Sequence, residues 1–143
     1  MRRCLELGRI ALATGDAPVG SVIVLARKIV GEAVESVKSK LDPTAHAEIL
    51  AVRAACVKLQ TLDLSGAMLY TNVEPCVMCA FAIRQTGIST VIFGISNGEV
   101  GGASSKFPVL TDAGFSAKYA TPQIRTGILL DECECLAREI KIK

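Results

Sequence analysis

The sequence is poor in aromatic residues and in histidine, and it carries little excess charge. Of its 143 residues none is Trp, two are Tyr, four are Phe and one is His. Broad surfaces for single-stranded nucleic acid stack bases on aromatic rings, so the scarcity of rings argues against such a platform. The 16 basic and 14 acidic residues leave a net charge of +2, without the clear basic excess that is typical of nucleic-acid binders.

Long hydrophobic runs are missing as well. No stretch approaches the roughly 20 apolar residues that cross a bilayer, so we expect no membrane partner. The first residues lack the apolar run of a secretory signal, which predicts a cytoplasmic protein with reduced thiols. In that setting clustered cysteines favour metal binding or catalysis over disulfides. The length predicts a single domain over residues 1–143.

Hydrophobic periodicity predicts strands that alternate with helices. Helices are expected over residues 2–14, 45–59 (capped by Thr44), 76–86 and 131–140. Strands are expected over residues 19–25, 29–34, 68–73, 90–95 and 122–128. Residues 36–43 and 96–116 are expected to be loops, the second of a length that is often functional. Because the first two strands form an antiparallel hairpin, the pattern predicts an α/β domain with a mixed sheet.

One group of residues has the spacing of a catalytic metal site. The single histidine, His46, is followed by Glu48, and Cys76 and Cys79 lie farther along the chain. On a helix the i, i+3 spacing places both thiols on one face. One imidazole and two thiolates suit Zn²⁺ and leave the fourth tetrahedral position open for water, as catalytic sites do. Glu48 beside that water would take its proton and deliver protons to a ring nitrogen and a departing amine.

The two motifs together match the H-x-E…P-C-x-x-C signature of zinc-dependent nucleobase deaminases. With the stretches 17–22, 42–49, 69–79 and 126–129, the chain resembles the cytidine deaminase superfamily over about residues 2–140. The similarity is to the bacterial branch that holds tRNA adenosine deaminases and guanine or cytosine deaminases. The resemblance implies a three-layer α/β/α sandwich around a mixed five-stranded sheet, one zinc per chain and a homodimer. It also implies that the backbone amide of Ala47 and the carbonyl of Pro75 face the substrate.

The substrate is the harder question. Where tRNA adenosine deaminases carry an Asn that reads the base edge, this chain has Glu35. An ionised carboxylate only accepts hydrogen bonds, so Glu35 would favour a ring with two neighbouring N–H donors, such as guanine, a cytosine analogue or an amino-triazine. The alternative, with equal weight, is that Glu35 is an exposed residue of the hairpin and contacts no ligand. The tail 136–143 lacks the aromatic residues that grip an anticodon loop in that branch, and the segment 101–108 also departs from those enzymes.

Three functions follow from these observations. The first is a zinc-dependent hydrolytic deaminase that releases ammonia from a small amino-heterocycle, which would then be the partner. The second, with tRNA as a less favoured partner, is a tRNA-specific adenosine deaminase. The third is a non-catalytic zinc or redox module built on Cys76 and Cys79, which the presence of Glu48 disfavours. Phe81 is expected to pack in the core, although it would otherwise narrow the substrate pocket. Phe107, in the long loop, would equally cover the substrate or pack within that loop.

Overall fold

The computed structural model describes residues 1–139. Its helices are α1 (Arg2–Ala13), α2 (Val37–Lys40), α3 (Ala47–Leu59), α4 (Val77–Gln85) and α5 (Leu130–Arg138). Its strands are β1 (Gly20–Leu25), β2 (Lys28–Val34), β3 (Met68–Val73), β4 (Thr90–Ile95) and β5 (Gln123–Arg125). Within residues 1–139, none of the helices combines the length and the apolar character that crossing a bilayer requires.

The strands form one mixed sheet in the order β2-β1-β3-β4-β5. β1 runs antiparallel to β2 and β3, whereas β3, β4 and β5 are parallel. The hairpin turn between β1 and β2 consists of Ala26 and Arg27, both with positive φ (49° and 65°). Positive φ at both central residues is the type I′ geometry that matches strand twist, although the usual Asn-Gly is absent. The predicted mixed five-stranded sheet and its hairpin are confirmed.

Helices cover both faces of the sheet because β1 alternates its apolar side chains between them. Val22 packs with Cys4 and Leu7 of α1, whereas the next residue, Ile23, lies in the main core with Ala51 of α3. α1 and α5 share a third apolar cluster on the first face. α3 and α4 occupy the opposite face, so the predicted three-layer α/β/α sandwich is confirmed.

The middle of α3 approaches the sheet closely. A Cβ atom on Gly31 of β2 would lie 2.4 Å from the Ala51 carbonyl oxygen and 2.8 Å from the Ala55 nitrogen. Only a glycine lets the helix backbone come this near. This contact holds the middle of α3 against β2.

Some element boundaries differ from the expectations. The segment expected to be a loop at 36–43 contains α2, whose Lys38 and Ser39 amides donate to the Asp16 carboxylate at 2.7 and 3.2 Å. Helix α3 begins at Ala47 with His46 as its N-cap, because the amide and hydroxyl of Thr44 both donate to Asp42 in a turn. β5 spans only residues 123–125. The predicted end of the last helix, Ile140, lies outside the described residues.

Candidate metal centre and active site

The predicted metal ligands meet where two helices begin. His46 is the N-cap of α3 and Cys76 is the N-cap of α4, each with extended backbone angles. The two helices lie on the same face of the sheet and start near the carboxyl ends of its central strands. The positive end of a helix dipole lowers the pKa of a thiol there, so this position favours the Cys76 thiolate.

The distances among the donor atoms fit one tetrahedral zinc ion. The Cys76 and Cys79 sulfurs are 3.7 Å apart, and the Cys76 sulfur lies 3.8 Å from His46 Nδ1. All three donor atoms lie within 4.8 Å of one another. Two thiolates on a tetrahedral zinc at about 2.3 Å are separated by roughly 3.8 Å, and a thiolate and an imidazole nitrogen by roughly 3.6 Å. The residues present therefore suit this metal.

The pKa values of the three candidate ligands show that their side chains interact strongly with one another. The contact between the Cys76 and Cys79 sulfurs lowers the pKa of Cys76 to about 4 and raises that of Cys79. The Cys76 thiolate in turn raises the pKa of His46 to about 9. A cation bound among them favours both thiolates and neutral imidazole, and so displaces these protons.

Glu48 lies beside the ligands in a small cavity. It is 4% exposed, and its Oε2 atom is 3.7 Å from the Cys79 sulfur. Burial raises the pKa of Glu48 to about 7. The cavity has a volume of about 170 Å³, and its lining includes Glu35, His46, Glu48, Cys76, Asn97 and Val100. A larger groove of about 700 Å³ lies at the other end of α4, around Thr86 and Ser89, away from this chemistry.

Three predicted substrate contacts already have partners inside the chain. The Glu35 carboxylate accepts the Ala47 N–H at 2.9 Å, and the Pro75 carbonyl accepts the Gly102 N–H at 2.8 Å. Glu35 is 7% exposed, so its interpretation as an exposed hairpin residue is wrong. Burial raises the pKa of Glu35. The roles of Glu35, Ala47 and Pro75 toward a substrate stay predictions.

Sequence reasoning missed Glu74 and Asn97, which also line the cavity. They follow the carboxyl ends of β3 and β4, which are neighbouring parallel strands. Ligand sites in sheets with parallel strands lie at such carboxyl ends. Strand order would have found both residues, but the sequence pattern alone does not give that order.

The two aromatic residues singled out from the sequence, Phe81 and Phe107, are both exposed. Phe81 is 40% exposed and packs edge-on against Phe115 and Tyr119, so its placement in the core is wrong. Phe107 is 52% exposed and lines an apolar groove of about 570 Å³ that also touches His46 and Cys76. All six cysteines are free thiols.

The chain is similar along most of its length to enzymes that act on tRNA. A tRNA-specific adenosine deaminase from Haemophilus influenzae is 40% identical over 134 residues, which are 93% of this chain and 76% of that protein. One from Aquifex aeolicus is 39% identical over 112 residues, 78% of this chain and 74% of that protein.

Solved structures agree on the fold. One from a study of A-to-I editing by tRNA:A34 deaminases at the wobble position of transfer RNA has a TM-score of 0.88 at 30% identity, covering 95% of this chain and 96% of that chain. A guanine deaminase from Nitrosomonas europaea has a TM-score of 0.82 at 26% identity, covering 99% of this chain and 82% of that one.

These relatives contradict the sequence-based prediction of a small amino-heterocycle as substrate and partner, and they favour its tRNA alternative. The prediction was wrong because composition reports on only one kind of nucleic-acid binding. Charge and aromatic content report on extended nucleic-acid platforms, whereas an enzyme that takes out a single base needs only a small pocket. The Glu35 carboxylate accepts the Ala47 N–H, so one of its oxygens already has a partner inside the chain.

The family itself follows from the segment that carries the ligands. Residues 1–95 match the zinc-binding region of cytidine and deoxycytidylate deaminases. This span includes His46, Glu48, Cys76 and Cys79, whose geometry suits a metal. The protein is therefore a hydrolytic deaminase with a zinc cofactor, and the non-catalytic module is excluded. The chain belongs to the cytidine and deoxycytidylate deaminase family.

Proposed function

We propose that the protein is a tRNA-specific adenosine deaminase, which converts an adenosine of tRNA to inosine. The observation that carries the proposal is the cavity of about 170 Å³ beside the zinc-suited cluster. A cavity of this order of volume beside the metal ligands suits an enzyme that takes a single base out of its stack. The identities of 40% and 39% to tRNA-specific adenosine deaminases support tRNA as the source of that base.

In this proposal His46, Cys76 and Cys79 hold the zinc through one imidazole nitrogen and two sulfurs. Zinc held there would lower the pKa of a water molecule and so would supply hydroxide as the attacking group near neutral pH. The extended backbone at His46 and Cys76 aims both side chains at one point, while the first turn of α4 adds Cys79 from the same helix face.

Glu48 is the proposed proton carrier. Its buried carboxylate accepts the proton that the attacking water loses and passes it to the ring nitrogen next to the reacting carbon. The second proton of the same water, carried by the same carboxylate, goes to the amino group; the carbon–nitrogen bond breaks, and ammonia leaves while the ring keeps the oxygen as a carbonyl. The net change is adenosine plus water to inosine plus ammonia. We propose that Glu35 and the backbone of Ala47 and Pro75 hold the base in position.

We further propose that the chain folds as one domain and forms a homodimer. Exposed apolar side chains on one side of α4 support the dimer: Met78 is 37% exposed, and Phe81 and its neighbour Phe115 are 40% and 45% exposed. When another molecule covers such an apolar surface, the free energy falls because the surface is removed from water. The cytoplasmic location expected from the sequence stays a prediction.

The test is inosine formation in transcribed tRNA that carries adenosine at the wobble position, detected by sequencing. We expect inosine at that position with zinc-loaded protein and a loss of about 10²- to 10⁴-fold in rate for Glu48→Ala. The variant must retain its zinc, so metal content is measured in parallel. A tRNA with guanosine at that position is the matched control. No inosine from zinc-loaded wild-type protein would refute the proposal.

A further inference from the structure

A loop that follows β4 lies directly on the turn that presents Cys76. This loop, Asn97–Ser105, forms backbone hydrogen bonds to the turn on both sides of the cysteine: the Val77 N–H donates to the Val100 carbonyl at 3.0 Å, and the Gly102 N–H donates to the Pro75 carbonyl at 2.8 Å. Between them Cys76 and Gly101 form an antiparallel bridge. The loop and the turn thus behave as one unit.

The carboxylate of Glu74 holds this unit together. It is buried, at 2% exposure, and it accepts four hydrogen bonds from the loop. Oε2 accepts from the Asn97 N–H at 2.6 Å and the Ser104 hydroxyl at 2.5 Å, and Oε1 accepts from the Ala103 and Ser104 N–H groups, both at 2.8 Å. Hydrogen bonds to a charged acceptor are stronger than those between neutral groups.

The loop is packed tightly around this carboxylate. A Cβ atom on Gly101 would lie 2.4 Å from the Glu74 carboxyl carbon and 2.4 Å from the Asn97 carbonyl oxygen. The position therefore requires glycine, and the carboxyl group fills the space inside the loop. Loss of the charge would leave three backbone N–H groups without a strong acceptor, which costs free energy wherever water cannot replace it.

The Asn97–Ser105 loop and the Cys76 turn each contribute residues to the active site. Asn97 and Val100 form part of the cavity wall, and Cys76 supplies a sulfur to the zinc-suited cluster. We propose that Glu74 is a positioning residue, which fixes the Asn97–Ser105 loop on the Cys76 turn and so holds both the cavity wall and the metal-binding thiol in place. The part of this inference that concerns substrate fit rests on the proposed function.

The experiment compares Glu74→Gln with the wild-type protein, both loaded with zinc. We expect zinc to pass to a chromophoric chelator about tenfold faster, the order found for residues that support metal ligands. Amide hydrogen exchange should accelerate at residues 97–105 and stay unchanged in α1. The KM for tRNA should rise more than kcat falls, because the wall that receives the base is displaced while Glu48 is not.

Two further variants keep the test decisive. Glu99→Gln is the matched control, since it makes the same substitution at an exposed residue of the loop that forms no hydrogen bond to Glu74; we expect wild-type zinc release. Ser104→Ala removes only one of the four bonds to Glu74 and should show a smaller effect in the same direction, which decides the matter if Glu74→Gln does not fold.

Zinc release and loop exchange in Glu74→Gln equal to those of Glu99→Gln would overturn the inference. So would faster exchange spread evenly over the whole chain, because Glu74 would then support stability alone. If wild-type protein forms no inosine, the proposed function fails, and the zinc and exchange measurements still decide the role of Glu74.

Discussion

At the scale of single residues, the chemistry could be predicted where it depends on short spacing. Cys76 and Cys79 share a helix face because they are three residues apart, and Glu48 follows His46 by two. Glu74 could not be found in this way, because its hydrogen-bond partners lie 23 to 30 residues farther along the chain. Only the parallel pairing of β3 and β4 brings those residues together.

The cysteines offer a test of which thiols bind the metal. We expect Cys76→Ser to weaken zinc binding by at least about tenfold, because a serine hydroxyl is a poor substitute for a thiolate on zinc. Metal content after dialysis against a weak chelator, measured by mass spectrometry, gives the result. Cys135→Ser is the control, since Cys135 is an exposed thiol on α5, and it should keep its zinc. Full zinc retention in Cys76→Ser would remove Cys76 from the ligand set.

At the scale of elements, boundaries set by local apolar runs were easier to predict than boundaries set by contacts with other segments. The bounds of β3 and β4 match the expectation at both ends, because a buried run of apolar residues is a local signal. The start of α3 does not, because Thr44 is drawn into a turn by Asp42. The sequence pattern did not predict α2, because the Asp16 carboxylate that caps it lies 22 and 23 residues before the two amides that donate to it.

The cap of α2 predicts a dependence of stability on pH. Burial raises the pKa of Asp16, but hydrogen bonds from the Ser39 side chain and from the Lys38 and Ser39 amides outweigh it, and the net pKa lies below the ordinary 3.8. A depressed folded-state pKa means that the stabilisation is present above pH 3.8 and is lost as pH falls through the folded value. Asp16→Ala should therefore lower the free energy of unfolding by about 1–2 kcal/mol at pH 7 and by less at pH 3, below the ordinary value of 3.8.

Urea unfolding at the two pH values measures this difference. Wild-type and variant are compared at the same pH, so any loss of zinc in acid affects both. Glu99→Ala, which removes an exposed acid, should leave the free energy of unfolding unchanged within about 0.5 kcal/mol. An Asp16→Ala effect of the same size at pH 3 as at pH 7 would mean that the carboxylate charge contributes nothing to the cap.

At the scale of the whole molecule, the fold and the reaction type could be predicted, but the substrate could not. The layers follow from the alternation of apolar side chains, and the reaction follows from the zinc motif. The net charge of +2 carried no information on RNA, because a base taken singly needs few contacts. The similarity to tRNA deaminases extends over most of the chain, and it corrected the substrate prediction that composition had favoured.

The assembly is the last property that belongs to this scale. If a second copy covers the apolar side of α4, light scattering after size-exclusion chromatography should give about twice the chain mass of 15.1 kDa. Phe81→Asp should shift the protein to monomer while zinc is retained, because a carboxylate buried against Phe115 and the partner would lose its hydration. Leu62→Asp, at a residue 78% exposed beyond the end of α3, should leave the mass unchanged. A wild-type monomer would refute the homodimer, whereas a dimer that survives Phe81→Asp would place the interface on another face.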